Sequence, residues 1–320
     1  MNPNADLVPD LEAIAALMAR VQNATAQAPE LEDLELDEVL RFVEGKRAIF
    51  TATFQNIPAI ARFYLEEPRA FARRDWAELQ RTRPFMTEGP YRVNEPLFHL
   101  PELGLLVVRR DDGKPLLEKL WNSDPADRAE MMPPAVHWLR QYTLPMERPS
   151  PMRAASWLAK AEKRIRKQGS ARLRPLLIDL NMLMHGILPK MEGHDWRVTI
   201  SHGDFHPNNL LMGDGVLTGI DTGGSAKLPI YKDMARFLTH MGRRGIHPTG
   251  NVRFGVDAGV FDMFAEVFEL NTPEREVWLP FMIGIEAMLK LETNTLSRGR
   301  LRHAERFYEA LLTDLRAIDA

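Results

Sequence analysis

His202-Gly-Asp204-Phe-His206-Pro-Asn208-Asn209-Leu-Leu211 interrupts a chain that is otherwise dominated by apolar periodicity. Before it runs Val198-Thr-Ile200, and after it Val216-Leu-Thr-Gly-Ile220-Asp221. Both flanks are short and β-branched, so they predict strands on either side of a polar loop. A loop held between strands is fixed by its scaffold, and catalytic groups concentrate in such loops. Asp204 can accept a proton from a substrate hydroxyl. Asn209 and Asp221 supply hard oxygen ligands, the type that Mg²⁺ selects, with substrate phosphates usually completing its shell. Those are the parts a phosphoryl transfer needs, because it asks for a positioned base and for cations on the β- and γ-phosphates rather than for covalent chemistry.

Downstream the pattern turns helical, over 256–270, 274–293 and 297–317. Upstream, from Gly113, helices also dominate. Ser150-Pro151 reads as a helix start and Gly169 as a stop, with Ala154, Leu158, Ala161 and Ile165 on one face. Met182 and Met184 read as core fillers. The basic cluster Lys163, Arg164, Arg166, Lys167, Arg172 and Arg174 reads as a solvated helix face. The acids Asp257, Asp262, Glu266 and Glu286 are set for solvent too, although they are also available to a cationic ligand.

The first hundred residues have a different character. Leu11, Ile14, Ala15, Met18 and Val21 predict a helix capped by Asp10, and Leu36, Val39, Leu40 and Val43 predict a second one stopped at Gly45. Residues 47–54 and 59–65 are β-branched and aromatic around Gln55-Asn56-Ile57-Pro58, which predicts a hairpin. A helix follows from Pro68 to about Arg81, then strands over 97–100 and 103–109, closed by Asp111-Asp112-Gly113. The chain therefore divides at Gly113 into a sheet-containing lobe with leading helices, 1–112, and a mainly helical lobe, 113–320.

At 320 residues the chain is longer than most single domains, which agrees with two lobes. Its net charge of −3 argues against a nucleic-acid partner. The absence of cysteine excludes disulfides, thiolate metal sites and a cysteine nucleophile. No apolar run approaches the roughly 20 residues that span a bilayer, and the N-terminus lacks a signal-peptide core, so a cytoplasmic protein with no membrane partner is expected. The oligomeric state is not legible.

His202-x-Asp204-x-x-x-x-Asn209, followed by a strand ending Ile220-Asp221, resembles the signature of aminoglycoside phosphotransferases and their choline-kinase-like relatives. Leu228-Pro-Ile-Tyr-Lys-Asp233-Met-Ala235 is similar to a later segment in which that family carries a structural aspartate. The resemblance implies an α+β, two-lobed protein-kinase-like fold, with ATP or GTP as co-substrate, Mg²⁺ as cofactor and a small-molecule hydroxyl as acceptor. It implies that Asp204 orients or deprotonates the acceptor, that His202 braces the loop, that Asn209 and Asp221 hold the metal, and that Asp233 receives loop donors. It also implies a strand cation for the nucleotide phosphates, for which Arg62 stands where the family has lysine, with Asp75 or Glu78 as its helix partner. The hairpin lacks the glycines of a nucleotide loop, and Thr222-Gly223-Gly224 replaces a bulky residue common after the metal aspartate. The implied acceptors are amino sugars, choline-like amino alcohols or other small hydroxylated metabolites.

Two other readings compete. Arg62 and the glycine-free hairpin suit a kinase-like nucleotide-binding protein impaired in transfer. Asp204-Phe-His206 is an Asp-x-His element of the kind that opens a two-metal phosphoesterase site, although His240 and His247 fall in no ligand spacing.

Overall fold

Arg47–Phe54 and Ile57–Tyr64 form the antiparallel pair from which the smaller part of the molecule is built, in register from Arg47 opposite Tyr64 to Phe54 opposite Ile57. Strand alternation puts Ala48, Phe50, Ala52 and Phe54 on one face with Ala59, Ala61 and Phe63, and all seven are buried. The same alternation turns Arg62 to the opposite face. Gln55 and Asn56 alone make the turn, both left-handed at φ 51° and 61°, which is the tight hairpin geometry that matches strand twist.

The structure is a computed structural model that describes residues 11–25, 28–290 and 296–319. Two compact units emerge: one comprises Met1–Glu88, Val93–Asp112 and Asp221–Gly224, the other Gly89–Arg92, Gly113–Ile220 and Ser225–Ala320. The smaller contains α1 (Leu11–Thr25), β1 (Leu34–Val43), β2 (Arg47–Phe54), β3 (Ile57–Tyr64), α2 (Pro68–Met86), and, after β4 (Tyr91–Val93), the strands β5 (Pro96–Leu100) and β6 (Leu105–Arg109). Its five-stranded sheet runs β1-β2-β3-β6-β5. Leu17 and Val21 of α1 complete the core under that sheet. The expected cap Asp10 lies outside the described residues.

The second predicted helix is a strand. Residues 34–43 pair with β2, and the register slips between Leu36 and Val39 and again between Val39 and Arg41. Each slip delays the inward phase, so Leu36, Val39 and Phe42 pack on the core at a spacing of three. That spacing imitates a helix. Leu40, placed by the helical reading on the apolar face, is exposed. Two boundaries also move: α2 continues to Met86, and Pro101–Leu103 form a 3₁₀ turn before β6 begins at Leu105.

The larger unit opens with β7 (Lys114–Pro115), α3 (Leu116–Asn122), α4 (Pro125–Glu130) and α5 (Met132–Thr143), then β8 (Arg148–Pro151), α6 (Ala154–Ile165), α7 (Arg174–Ile187) and β9 (Asp195–Ser201). It continues through β10 (Leu210–Gly213), β11 (Val216–Gly219), β12 (Ala226–Pro229), α8 (Tyr231–Gly242), β13 (Val252–Arg253), β14 (Val256–Asp257), α9 (Ala258–Val267), α10 (Leu279–Leu289) and α11 (Arg298–Asp319). Ser150 and Pro151 do not start a helix. They lie in β8 at the edge of the sheet β12-β9-β8, a place that tolerates prolines lacking a donor. The face named for the following helix is buried at all four positions, and the basic cluster beyond it is exposed. Met184 is fully buried, whereas Met182 lies 62% exposed on α7 and fills no core. Among the described residues no helix is long and apolar enough to cross a membrane.

Two short sheets of the larger unit position the polar loop. β9 delivers the chain to His202, and the β10–β11 hairpin carries it away from Asn209, with Leu210 opposite Gly219. Beneath the loop, Trp138 stacks on Phe205 at 5.6 Å and Phe205 on Phe237 at 5.2 Å. A side chain at Gly219 would meet the Trp138 ring, so only glycine lets the hairpin close on that stack.

Candidate active site

His202 is buried and bonded on both sides of its ring. Its Nε2 donates to the Ile220 carbonyl at 2.9 Å, and its Nδ1 accepts from the Asp204 amide at 3.3 Å. Those opposite roles fix the tautomer. The amides of His202 and Gly203 donate to the Asp233 carboxylate, at 2.7 and 3.1 Å. Asp233 is fully buried, and burial pushes its pKa up while His202 and Lys232 pull the other way. An α8 aspartate thus holds the start of the loop, and His202 ties it to the end of β11.

Asp204 lies half exposed on this frame. Its carboxylate accepts from Arg236, whose Nη1 also donates to the Gly203 carbonyl at 3.1 Å. His206 Nε2 stands 3.6 Å from the other carboxylate oxygen. Burial alone would raise the Asp204 pKa, but His206 and Arg236 outweigh it and hold the group well below the usual carboxylate range. The loop closes in a 3₁₀ turn, Pro207–Asn209, where Asn209 Nδ2 donates to the Asp204 carbonyl at 2.9 Å. With Nδ2 spent there, Oδ1 is the atom through which this amide can meet a cation.

Beside Asp204 opens a cavity of about 250 Å³ whose wall includes His206, Arg236, His240, Arg243, Arg244 and Lys290. Sequence reasoning missed the arginines. The signal was present: positions 236, 239, 240, 243 and 244 recur at helical spacing after Asp233, one polar stripe along α8 and its end. Glu286 also lines the cavity, but it is not a solvated surface acid. It is buried, paired with Lys232 at 2.9 Å and Arg236 at 2.9 Å, and these two cations hold its pKa down against the effect of burial. Asp257 is likewise buried and caps α9 through the Val260 amide. Asp262 and Glu266 are exposed as expected.

The smaller unit contains a second cluster. Arg62, only 8% exposed, places Nη1 3.5 Å from Asp75 and 3.2 Å from Asp221, while Nη2 donates to Asn94 at 3.2 Å. Burial opposes the charge, but Asp221 and Asp75 overcome it and raise the guanidinium pKa. Asp75 also accepts from the Tyr64 hydroxyl and, at 3.3 Å, from Thr222 Oγ1. Of the two acids on α2 it is Asp75 that meets Arg62; Glu78 is forked onto Arg81 at 3.0 and 2.6 Å. Thr222-Gly223-Gly224 acquires a reason here. A Cβ at Gly223 would sit 3.0 Å from the Asp75 carboxyl carbon, so any side chain there would crowd that carboxylate. Asp221 itself is left-handed at φ 60°, and its carboxylate is about one-third exposed. Partial exposure and free lone pairs suit it to a hard cation.

No family model matches the chain, and no curated protein matches it by sequence. Solved structures do. A choline/ethanolamine kinase family protein from Mesorhizobium loti superposes with a TM-score of 0.58 at 14% identity, over 95% of this chain and 99% of that one. It shares their fold. The aminoglycoside phosphotransferase APH(4)-Ia matches with a TM-score of 0.56 at 12% identity, over 93% and 99% of the two chains. A GDP complex of an aminoglycoside 2'-phosphotransferase-IIIa variant matches at 0.58 and 14%, over 94% and 97%. The α+β, kinase-like architecture is therefore that of small-molecule phosphotransferases, and at these identities the likeness is one of fold.

Proposed function

We propose that the chain transfers the γ-phosphoryl group of ATP or GTP to a hydroxyl of a small molecule. The observation that carries this is the state of Asp204: an ionised, half-exposed carboxylate on a loop locked by His202 and Asp233. The acceptor oxygen attacks the γ-phosphorus, the bond to the β–γ bridging oxygen breaks, and the nucleoside diphosphate leaves. The hydroxyl proton passes to Asp204 and on to solvent. A carboxylate with so low a pKa is a weak base, so its main work is to orient the hydroxyl, which suits a loose transition state in which the proton leaves late. Asn209 Oδ1 and the Asp221 carboxylate would hold Mg²⁺, which supplies charge neutralisation on the phosphates. Arg62, oriented by Asp75, is the cation proposed for the nucleotide phosphates.

Asp204→Asn should lower kcat by about 10²–10⁴-fold with nucleotide affinity unchanged, and Asp221→Ala should weaken binding of the Mg-nucleotide itself. Full activity in Asp204→Asn, or no thermal stabilisation by any Mg-nucleotide at millimolar concentration, overturns the reading. Nucleotide binding without transfer is favoured by one observation, the pairing of Arg62 with Asp221, which engages a proposed metal ligand. Product formation on any alcohol would remove that alternative. A phosphoesterase is disfavoured because Arg236 already occupies the carboxylate a metal pair would need.

A further inference from the structure

The cavity beside Asp204 holds more positive charge than the catalytic loop uses. Arg236, Arg243, Arg244 and Lys290 line it, and among the described residues its only carboxylates are Asp204 and Glu286. Both are engaged already: Glu286 by Lys232 and Arg236, Asp204 by Arg236. Arg244 directs Nη1 to a neutral partner, the His240 carbonyl at 2.7 Å, and its Nε is buried with no hydrogen-bond acceptor among the described residues. Thr239 Oγ1, His240 Nε2 and His206 Nδ1 are buried in the same wall and have no hydrogen-bond partner among the described residues.

Crowded, half-dry cations repel one another. Burial, then Arg243 and Arg244, push Lys290 down to about 8. Burial, then Arg300 and Arg243, push Arg244 down to about 9. His240, stacked on His206 at 4.6 Å, is pushed well below its ordinary value by burial and then by Arg244. An anion seated there would relieve this repulsion, whereas an amine would add to it. The volume of about 250 Å³ lies below the roughly 300–1,000 Å³ of pockets that take drug-sized ligands, so the occupant is small.

We infer that the phosphoryl acceptor is a small hydroxylated anion, a carboxylate or a phosphate ester, whose anionic group sits among Arg243, Arg244 and Lys290 while its hydroxyl meets Asp204. The inference rests on the phosphotransferase reading and narrows it, away from the amino sugars and amino alcohols.

The test is calorimetric titration of the full chain with glycerate, glycerol 3-phosphate, glycerol and ethanolamine, with and without saturating Mg-AMP-PNP. These probes are similar in size and differ in charge. One or both anions should bind, and glycerol and ethanolamine should not. The binding should persist with the nucleotide analogue present. Lys290→Gln should weaken the anion at least tenfold, and Arg244→Gln should do the same, each in a variant whose melting temperature matches that of the parent chain. Glycerol or ethanolamine binding as tightly as the anions, no anion binding at millimolar concentration, or unchanged affinity in Lys290→Gln would overturn the inference. So would displacement of the anion by Mg-AMP-PNP, which would make the cavity the nucleotide's own phosphate site. Anion binding in a protein that binds no Mg-nucleotide would leave the anion site standing and remove the acceptor role together with the phosphotransferase reading.

Discussion

Asp204 and Arg62 are each met by more than one charged group, and the two cases call for different tests. Asp204 is half exposed, so the Arg236 pair contributes little to stability and much to protonation. Its folded pKa lies below the unfolded value of about 3.9, so whatever stability the pair adds is present above about pH 4 and is lost as the pH falls further. The carboxyl ¹³C resonance of Asp204 should therefore show no titration between about pH 5 and 8, whereas Arg236→Gln should move its midpoint upward. Arg62 is buried between Asp75 and Asp221, where removal of one partner leaves a buried charge uncompensated. Arg62→Met should cost about 3–5 kcal/mol in denaturant melts, with Arg62→Lys milder because it keeps the charge but loses the fork to Asn94. At this scale the sequence was most informative. Asp204, Asn209, Asp221 and Asp233 are picked out by residue type and by the resemblance of their motif to a family, and the structure ties Asp204, Asn209 and Asp233 to one loop. The choice of Asp75 over Glu78 was not legible, because both lie on α2 and only three-dimensional packing selects one. Arg243 and Arg244 were legible as a stripe, but a stripe has no meaning until its partner faces are known.

Among the elements, the β2–β3 hairpin concentrates the local cost. Gln55 and Asn56 both sit at positive φ, and glutamine has no short side chain with which to satisfy that conformation. Gln55→Asn with Asn56→Gly should stabilise the chain by about 0.5–1 kcal/mol, read as a rise in the denaturation midpoint. A fall would mean that the turn makes contacts its backbone does not reveal. The pair of strands was plain from composition, and the turn was placed correctly but made too long. β1 was not recoverable. Its two register slips convert a period of two into a spacing of three, and a single sequence carries no sign of the partner strand that imposes them. Similarly, Ser150-Pro151 has the chemistry of a helix start, and only the neighbouring β9 makes it an edge strand.

For the molecule as a whole, the loss of α11 should be felt across the larger unit. Ala304, Phe307, Tyr308, Leu311, Leu312 and Leu315 are all buried along it. Their burial is worth on the order of 10 kcal/mol, comparable with the whole stability of a domain. Truncation after Ser297 should abolish the cooperative melt; a protein that still melts sharply would show that α11 packs later and more weakly than its burial implies. The two-lobed, kinase-like architecture was legible from the order of strand-rich and helix-rich stretches, together with one motif. What no linear reading exposes is that Asp221–Gly224 belong to the smaller unit, more than a hundred residues after that unit's last other segment. Thr222 and Gly223 are what close around Asp75 there. The sheet-bearing unit is thus not a cassette. Cut out as residues 1–112, or grafted onto a related kinase-fold protein, it would arrive without Thr222 and Gly223, which pack against Asp75, so recombination between such proteins should succeed only at crossovers that carry both stretches from one parent.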